Sequence, residues 1–281
     1  PFPVGSRNSA CGFSNLPDNQ TPHQGSSVSR IESLLPMSVL SLFEPSGLPR
    51  DPRQAQPREG GYDEGLFAQI AEQPRTRGFS VNPAAVPLDV VLPLQQHVLG
   101  MEAEKFSAAG IGRGRKHTHS PFVRTDAICW IDGTSVAGQA WLNWVQALQQ
   151  YLNKQLLLGL FSFESHFSHY APGDYYKRHK DAFKGDANRV LSLVLYLNSA
   201  WQQDDGGELV LYAPEDERPG VLRSRRIDDG GLKVTPLLGT LVIFLSEDFP
   251  HEVLPAARDR YAIAGWYRVN ASRGERVDPP R

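Results

Sequence analysis

The sequence predicts an α+β, mainly β domain in which a few helices pack on a jelly-roll-like double sheet. Three observations predict it. Apolar residues recur at helical spacing only up to about residue 158. Beyond that point the period falls from 3.6 to 2 and stays there. Clusters of Gly, Pro, Asp and Asn then divide the chain into many short strands, and short strands following a few helices suit a helix-covered double sheet.

Taken in order, residues 1–60 stand apart. They are rich in Pro, Ser, Asn, Gln and Gly and end in the polar run 50–61. Such a segment buries too little apolar surface to offset its ordering entropy, so disorder is expected. Met37, opening Met-Ser-Val-Leu-Ser-Leu-Phe, reads as a native start with 1–36 upstream of it. The globular domain is expected over 61–275. Its first helix covers 62–73, with Leu66, Phe67 and Ile70 on one side, and a short strand follows at 78–81. A second helix is expected over 92–105, then a loop at 110–121 and a strand over 123–132 carrying Ile128 and Trp130. The clearest helix covers 138–158, where Trp141, Leu142, Val145, Leu148, Leu152 and Leu156 share a face. Strands are then expected at 160–170, 190–198, 208–212, 232–235, 240–246 and 261–269.

Bulk properties narrow the function. A chain of 281 residues with a net charge of -2 shows no excess that points to nucleic acid or an anionic membrane. No apolar run reaches the length that crosses a bilayer. Cys11 and Cys129 are the only cysteines, which argues against a disulfide framework and for a reducing cytoplasm.

The strands say what they face. In 190–197, Leu191, Leu193, Leu195 and Leu197 share the face expected to meet the helices. Tyr196 then points between the sheets, where a phenol needs a polar partner. Arg260 shares a face with Ala262, Ala264 and Trp266, and the two alanines leave room for something small and acidic. His179 and Asp181 are two residues apart, so on an extended strand they point the same way. Two histidines and one carboxylate (His179, Asp181 and His251) form the ligand set of a non-haem Fe(II) centre with open positions. Arg260, nine residues past His251, offers a fork for a carboxylate.

Each residue also has an ordinary explanation. An HxD pair occurs by accident, His251 could be a core histidine, and Arg260 could pair with Asp248 or Asp259. Their order and strand context together favour the site. Two other histidine pairs compete: His117 with His119, beside Arg113, Arg115 and Lys116, and His166 with His169. The first reads as a solvated loop. The second lies on opposite strand faces, so both are taken as structural.

At this point the chain resembles a known family. The segments Tyr170-Ala-Pro-Gly-Asp-Tyr-Tyr-Lys-Arg-His179-Lys-Asp181, Arg189 through Asn198, Gly206-Gly207-Glu-Leu, Pro250-His251-Glu-Val-Leu-Pro and Arg260-Tyr-Ala-Ile-Ala-Gly-Trp266-Tyr look like a 2-oxoglutarate- and Fe(II)-dependent prolyl 4-hydroxylase. The oxygen-sensing branch and its bacterial relatives are the nearest in pattern. The likeness covers about 60–270. It implies a double-stranded β-helix core with His179, Asp181 and His251 on iron. It implies Arg260 and Tyr196 on the distal carboxylate of 2-oxoglutarate, and Tyr170 near its chelating end. Arg189 and Trp266 match positions that meet the substrate proline, and Asp126 matches one that pairs with the Arg189 equivalent. O2 would be the other cosubstrate and ascorbate an aid. A proline-containing protein or peptide would be the substrate, and 110–124 would correspond to a mobile finger. Two departures stand out: the stretch from Tyr170 to His179 is one residue shorter than in the oxygen-sensing type, and Ala264 replaces a hydroxyl residue. Alternatives are an oxygenase on the same core acting on a small molecule or alkylated nucleic acid, and a non-catalytic jelly-roll binding module.

Overall fold

The computed structural model describes residues 63–110, 122–182, 188–214, 227–228 and 230–270. All fall within one unit, Pro45–Arg281. The 1–60 segment, Met37 as a start, His117, His119 and most of the 110–121 loop lie outside the described residues.

Helix α1 (Glu64–Arg77) begins at Asp63, whose carboxylate accepts the Leu66 N–H at 3.1 Å. It runs past the expected end at 73. Pro74 lies inside it, buried, and forfeits a single backbone bond. Gly78, in the left-handed region at φ 81, ends the last turn by donating to the Pro74 carbonyl. Helix α2 (Leu88–Leu99) starts directly after Pro87 and stops at Gly100, rather than covering 92–105; Ala103–Lys105 form a separate 3-10 turn. Helix α3 (Val136–Leu156) is capped by Ser135 Oγ, which accepts the Gly138 N–H at 3.0 Å.

The strands are β1 (Phe79–Asn82), β2 (Ser107–Ala108), β3 (Ala127–Trp130), β4 (Leu160–Tyr170), β5 (Tyr176–His179), β6 (Arg189–Tyr196), β7 (Leu209–Leu211), β8 (Leu232–Val234), β9 (Leu241–Leu245), β10 (His251–Val253) and β11 (Arg260–Val269). Seven form one antiparallel sheet in the order β1-β9-β6-β11-β4-β3-β2, and four form another in the order β5-β10-β7-β8. This is the jelly-roll-like double sheet the periodicity predicts.

The larger sheet separates two cores. Its outer face presents Leu191, Leu193, Leu195, Ile263 and Tyr267 to Ile70, Leu94, Trp141, Val145 and Leu148 of the helices. Each such buried side chain contributes about 1.5–3 kcal/mol. Tyr267 adds a hydrogen bond from its hydroxyl to the Val145 carbonyl on α3 at 2.9 Å. The inner face packs Phe79, Tyr196, Val242, Phe244 and Ala262 against Leu209, Leu211, Val234 and Val253 of the smaller sheet. The all-leucine face therefore meets the helices and Tyr196 lies between the sheets, as alternation predicts. No helix among the described residues is long and apolar enough to cross a membrane.

Candidate active site

Strands β5 and β10 place two histidines side by side. His179 pairs with His251 across the ladder, and Asp181 follows two residues beyond the first. One ligand atom from each of His179, Asp181 and His251 falls within 4.8 Å of the others. His179 Nε2 is 3.7 Å from Asp181 Oδ1, and His251 Nε2 is 3.6 Å from Asp181 Oδ2. The other ring nitrogens are occupied: Nδ1 of His179 faces the Lys177 carbonyl at 2.8 Å, and Nδ1 of His251 faces that of Phe249 at 3.2 Å. A carbonyl accepts only, so each Nδ1 carries the proton and each Nε2 offers a lone pair toward Asp181.

Ser192 on β6 donates to Asp181 Oδ2 at 2.6 Å and lies 2.9 Å from Ser246 Oγ. Burial alone would raise the Asp181 carboxyl. The neighbouring His251 and His179 imidazoles and the hydrogen bond from Ser192 outweigh it and hold the group well below the usual carboxylate range. Burial pushes His251 down to about 4, so its imidazole is neutral at pH 7. The site thus holds one anion and an available nitrogen on a buried histidine. That donor set fits a divalent cation with open positions.

Arg260, Tyr196 and Tyr170 come together on the inner face of the larger sheet. Arg260 opens β11 opposite Tyr170, and Ala262 lies opposite Tyr196. The Arg260 guanidinium carbon sits 4.9 Å from the Tyr170 ring centre and 5.2 Å from that of Tyr196. Its Nε donates to the Gly207 carbonyl at 2.8 Å. Arg260 is only 2 % exposed, yet no carboxylate among the described residues pairs with it. Asp259, one candidate structural partner, is instead 2.7 Å from His169 Nε2. The Tyr196 hydroxyl is buried and has no hydrogen-bond partner among the described residues. Burial pushes that phenol up to about 12, with the Arg260 charge drawing it partly back, so it remains a donor at neutral pH. A buried cation without an anion beside a buried unpaired donor fits a carboxylate ligand.

Gly207, left-handed at φ 69, makes the close approach possible. A Cβ there would lie 2.9 Å from Ala256 Cβ and 3.1 Å from Arg260 Cδ. Tyr170 is also buried, which raises its phenol well above the ordinary value.

Arg189 and Trp266 form a third group. The Arg189 guanidinium lies 3.7 Å above the Trp266 ring, and its Nη2 is 2.8 Å from Glu164 Oε1. Arg268 Nη1 approaches the other oxygen of Glu164 at 3.4 Å. The Trp266 indole N–H is buried without a hydrogen-bond partner among the described residues. Asp126 is a correction: it does not pair with Arg189. Its oxygens receive Arg124 Nε at 2.7 Å and Nη2 at 2.6 Å, because Arg124 lies two residues away on the same side of the chain while Glu164 holds Arg189.

Several site neighbours had no signal of their own in the sequence. Glu164 and Ser192 follow the strand alternation that places Trp266 and Tyr196, so extending that alternation to every polar inner-face position would have found them. His166, read as structural, faces inward between Trp130 and Trp266, with ring centres 5.1 and 5.5 Å away. Tyr176 stacks on His179 with ring centres 3.5 Å apart.

Comparison with known proteins agrees with this geometry. Residues 165–268 match the model of the 2OG-Fe(II) oxygenase superfamily. A prolyl-4-hydroxylase structure from Pseudomonas putida is 36% identical, with a TM-score of 0.61, and the match covers 74% of this chain and 100% of that one. A Trichoplax adhaerens prolyl hydroxylase, solved with a peptide fragment of the hypoxia inducible factor oxygen degradation domain, is 27% identical with a TM-score of 0.59. That match covers 73% of this chain and 90% of the other. The hypoxia-inducible factor prolyl hydroxylase of Caenorhabditis elegans is 26% identical over 165 residues, which are 55% of this chain and 21% of that protein. The chain thus matches about a fifth of that relative's length.

Proposed function

Because this chain belongs to the family of 2-oxoglutarate- and Fe(II)-dependent prolyl hydroxylases, we propose that it hydroxylates a proline residue within a protein or peptide while converting 2-oxoglutarate to succinate and CO2. One observation carries the reading. In addition to the His179, Asp181 and His251 cluster, Arg260 is a buried cation with no carboxylate partner among the described residues, next to the unpaired Tyr196 hydroxyl.

His179, Asp181 and His251 would hold the iron through two imidazole nitrogens and a carboxylate oxygen. Arg260 and Tyr196 would hold the distal carboxylate of 2-oxoglutarate, with Tyr170 beside its chelating end. When bound, iron and 2-oxoglutarate supply the oxidation, in which one atom of O2 ends in succinate and the other in the new hydroxyl. The protein's own part is placement. Ser192 keeps Asp181 aimed, and the two backbone carbonyls keep both histidines turned. The apolar packing between the sheets excludes water from the Arg260 end, where a charge pair is stronger for being desolvated. Arg189, stacked on Trp266, and the unpaired indole N–H would meet the target peptide near its proline. No general acid or base is required of a side chain. In this reading ascorbate restores over-oxidised iron and the enzyme works in the cytoplasm.

Anaerobic titration with Fe(II) and 2-oxoglutarate tests the proposal without knowledge of the target. A weak visible charge-transfer band is expected in the wild type and not in His179→Ala. A folded wild-type protein that gives no band would refute the reading.

A further inference from the structure

We propose that Tyr176 is a positioning residue for His179, and that Arg124 and Asp126 hold Tyr176 in that role. The inference rests on the reading of His179 as an iron ligand and adds the parts of the chain that aim it.

Residues three apart on a regular strand point to opposite faces, so Tyr176 and His179 should not touch. They do, because β5 is bulged. His179 pairs with His251 and Tyr176 with Val253, so two residues of β5 face the single residue Glu252. A bulge of this kind turns the strand and re-aims its side chains, as bulges beside sites do. Here it brings the two rings nearly parallel, 15° apart, with centres at 3.5 Å.

The second face of Tyr176 is covered as well. The Arg124 guanidinium carbon lies 4.3 Å from the Tyr176 ring centre, and it cannot share the face that His179 already fills. Arg124 is fixed in turn. Its Nε and Nη2 make a two-point contact with Asp126, which is 1 % exposed. Two backbone hydrogen bonds, which together make the Arg124–Tyr176 bridge, tie the two segments together: Lys177 N–H to the Val123 carbonyl at 2.8 Å and Thr125 N–H to the Tyr175 carbonyl at 3.1 Å. The result is a column that runs Asp126, Arg124, Tyr176, His179. With the Lys177 carbonyl holding Nδ1, the stacked ring removes the remaining rotation of the imidazole about its bond to Cβ. This also gives Asp126 a place in the fold that does not require Arg189.

Co(II), whose visible bands report ligand geometry, is the probe, titrated anaerobically into purified wild type, Tyr176→Leu, Tyr176→Phe and Arg124→Gln. The melting temperature of each metal-free protein is measured in parallel. Loss of the ring in Tyr176→Leu should weaken Co(II) binding by about tenfold or more and alter its bands, whereas Tyr176→Phe should stay within about threefold. Arg124→Gln should fall between them with the same change in bands. A merely structural role would lower the melting temperature and leave the bands of the folded protein unchanged. Wild-type affinity and bands in Tyr176→Leu would overturn the proposal, as would an equal loss in Tyr176→Phe. If Tyr176→Leu does not fold, Arg124→Gln decides: unchanged bands there reject the column. Failure of Co(II) to bind the wild type would instead reject the metal site, and the column with it.

Discussion

Arg260→Met replaces a buried cation by an apolar chain of similar length, and its effects on stability and on cosubstrate binding should have opposite signs. Without a ligand the guanidinium is desolvated and faces no carboxylate among the described residues, a situation that costs several kcal/mol. Against that, the substitution strands the Gly207 carbonyl, at about 1–3 kcal/mol, and loses the approach to the Tyr170 and Tyr196 rings, at about 0.5–2 kcal/mol. Taking about 4 kcal/mol for the desolvated charge and about 3 kcal/mol, near the middle of their ranges, for the two losses together, the balance is a gain of about 1 kcal/mol, or about 2–4 °C in melting temperature for a domain of this size. For 2-oxoglutarate the sign reverses. Losing one partner of a buried charge pair costs about 2–5 kcal/mol, about 30-fold to several thousand-fold in affinity. Melting curves of the Mn(II)-loaded protein with and without 2-oxoglutarate read both quantities. The wild type should gain about 2.7 kcal/mol at a ligand concentration a hundred times Kd, and the variant almost nothing. A variant that melts well below wild type, or that still responds to 2-oxoglutarate, would show that Arg260 is a structural residue.

Three further predictions concern the surroundings. Ser192→Ala removes the 2.6 Å hydrogen bond to Asp181 and should weaken Fe(II) binding by about tenfold while leaving the melting temperature nearly unchanged; equal Fe(II) affinity in a metal titration would reject the serine's role. Glu164→Gln takes the counter-charge from Arg189 and Arg268, so KM for the peptide should rise by about tenfold with the Fe(II)–2-oxoglutarate band intact; a lost band would place Glu164 with the iron instead. Burial, with the charge of Arg124, pushes His166 down to about 4, below its ordinary 6.5. The unfolded chain therefore binds the proton first as pH falls. The cost is absent above about 6.5, grows between about 6.5 and 4, and reaches about 3 kcal/mol below that. Urea unfolding of the metal-free protein should lose stability over that window, and less steeply in His166→Phe; identical slopes would contradict a buried neutral imidazole.

The parts of this molecule that could be read from sequence are those where one physical rule acts over many residues. The leucines of β6 alternate for a full strand, and a single-residue slip would have turned them to the wrong face. Arg260, Ala262, Ala264 and Trp266 could be placed on the inner face for the same reason. What escaped was short or depended on distant partners. Strand β10 has three residues and β5 four, too few to show a period, although they carry two of the three metal-site residues. The bulge in β5 breaks the alternation it would be judged by. Helix α1 continues through Pro74 because tertiary packing buries that ring, which local propensity does not register. Asp126 pairs with Arg124 while Glu164, a residue of another strand, holds Arg189, a choice between partners far apart in sequence.

The division of labour between the sheets has a consequence for substrate choice. The histidines of the metal cluster belong to the smaller sheet, and Arg260 and Tyr196 to the larger one. A keto acid that grips the metal at one end and the arginine at the other would span the gap like a strut. The spacing between the sheets then works as a gauge. Leu209, Leu211, Val242 and Phe244 fill the space between the sheets. On the proposed function a shorter diacid would reach one end only, and the apolar filling would then select the length of a charged molecule.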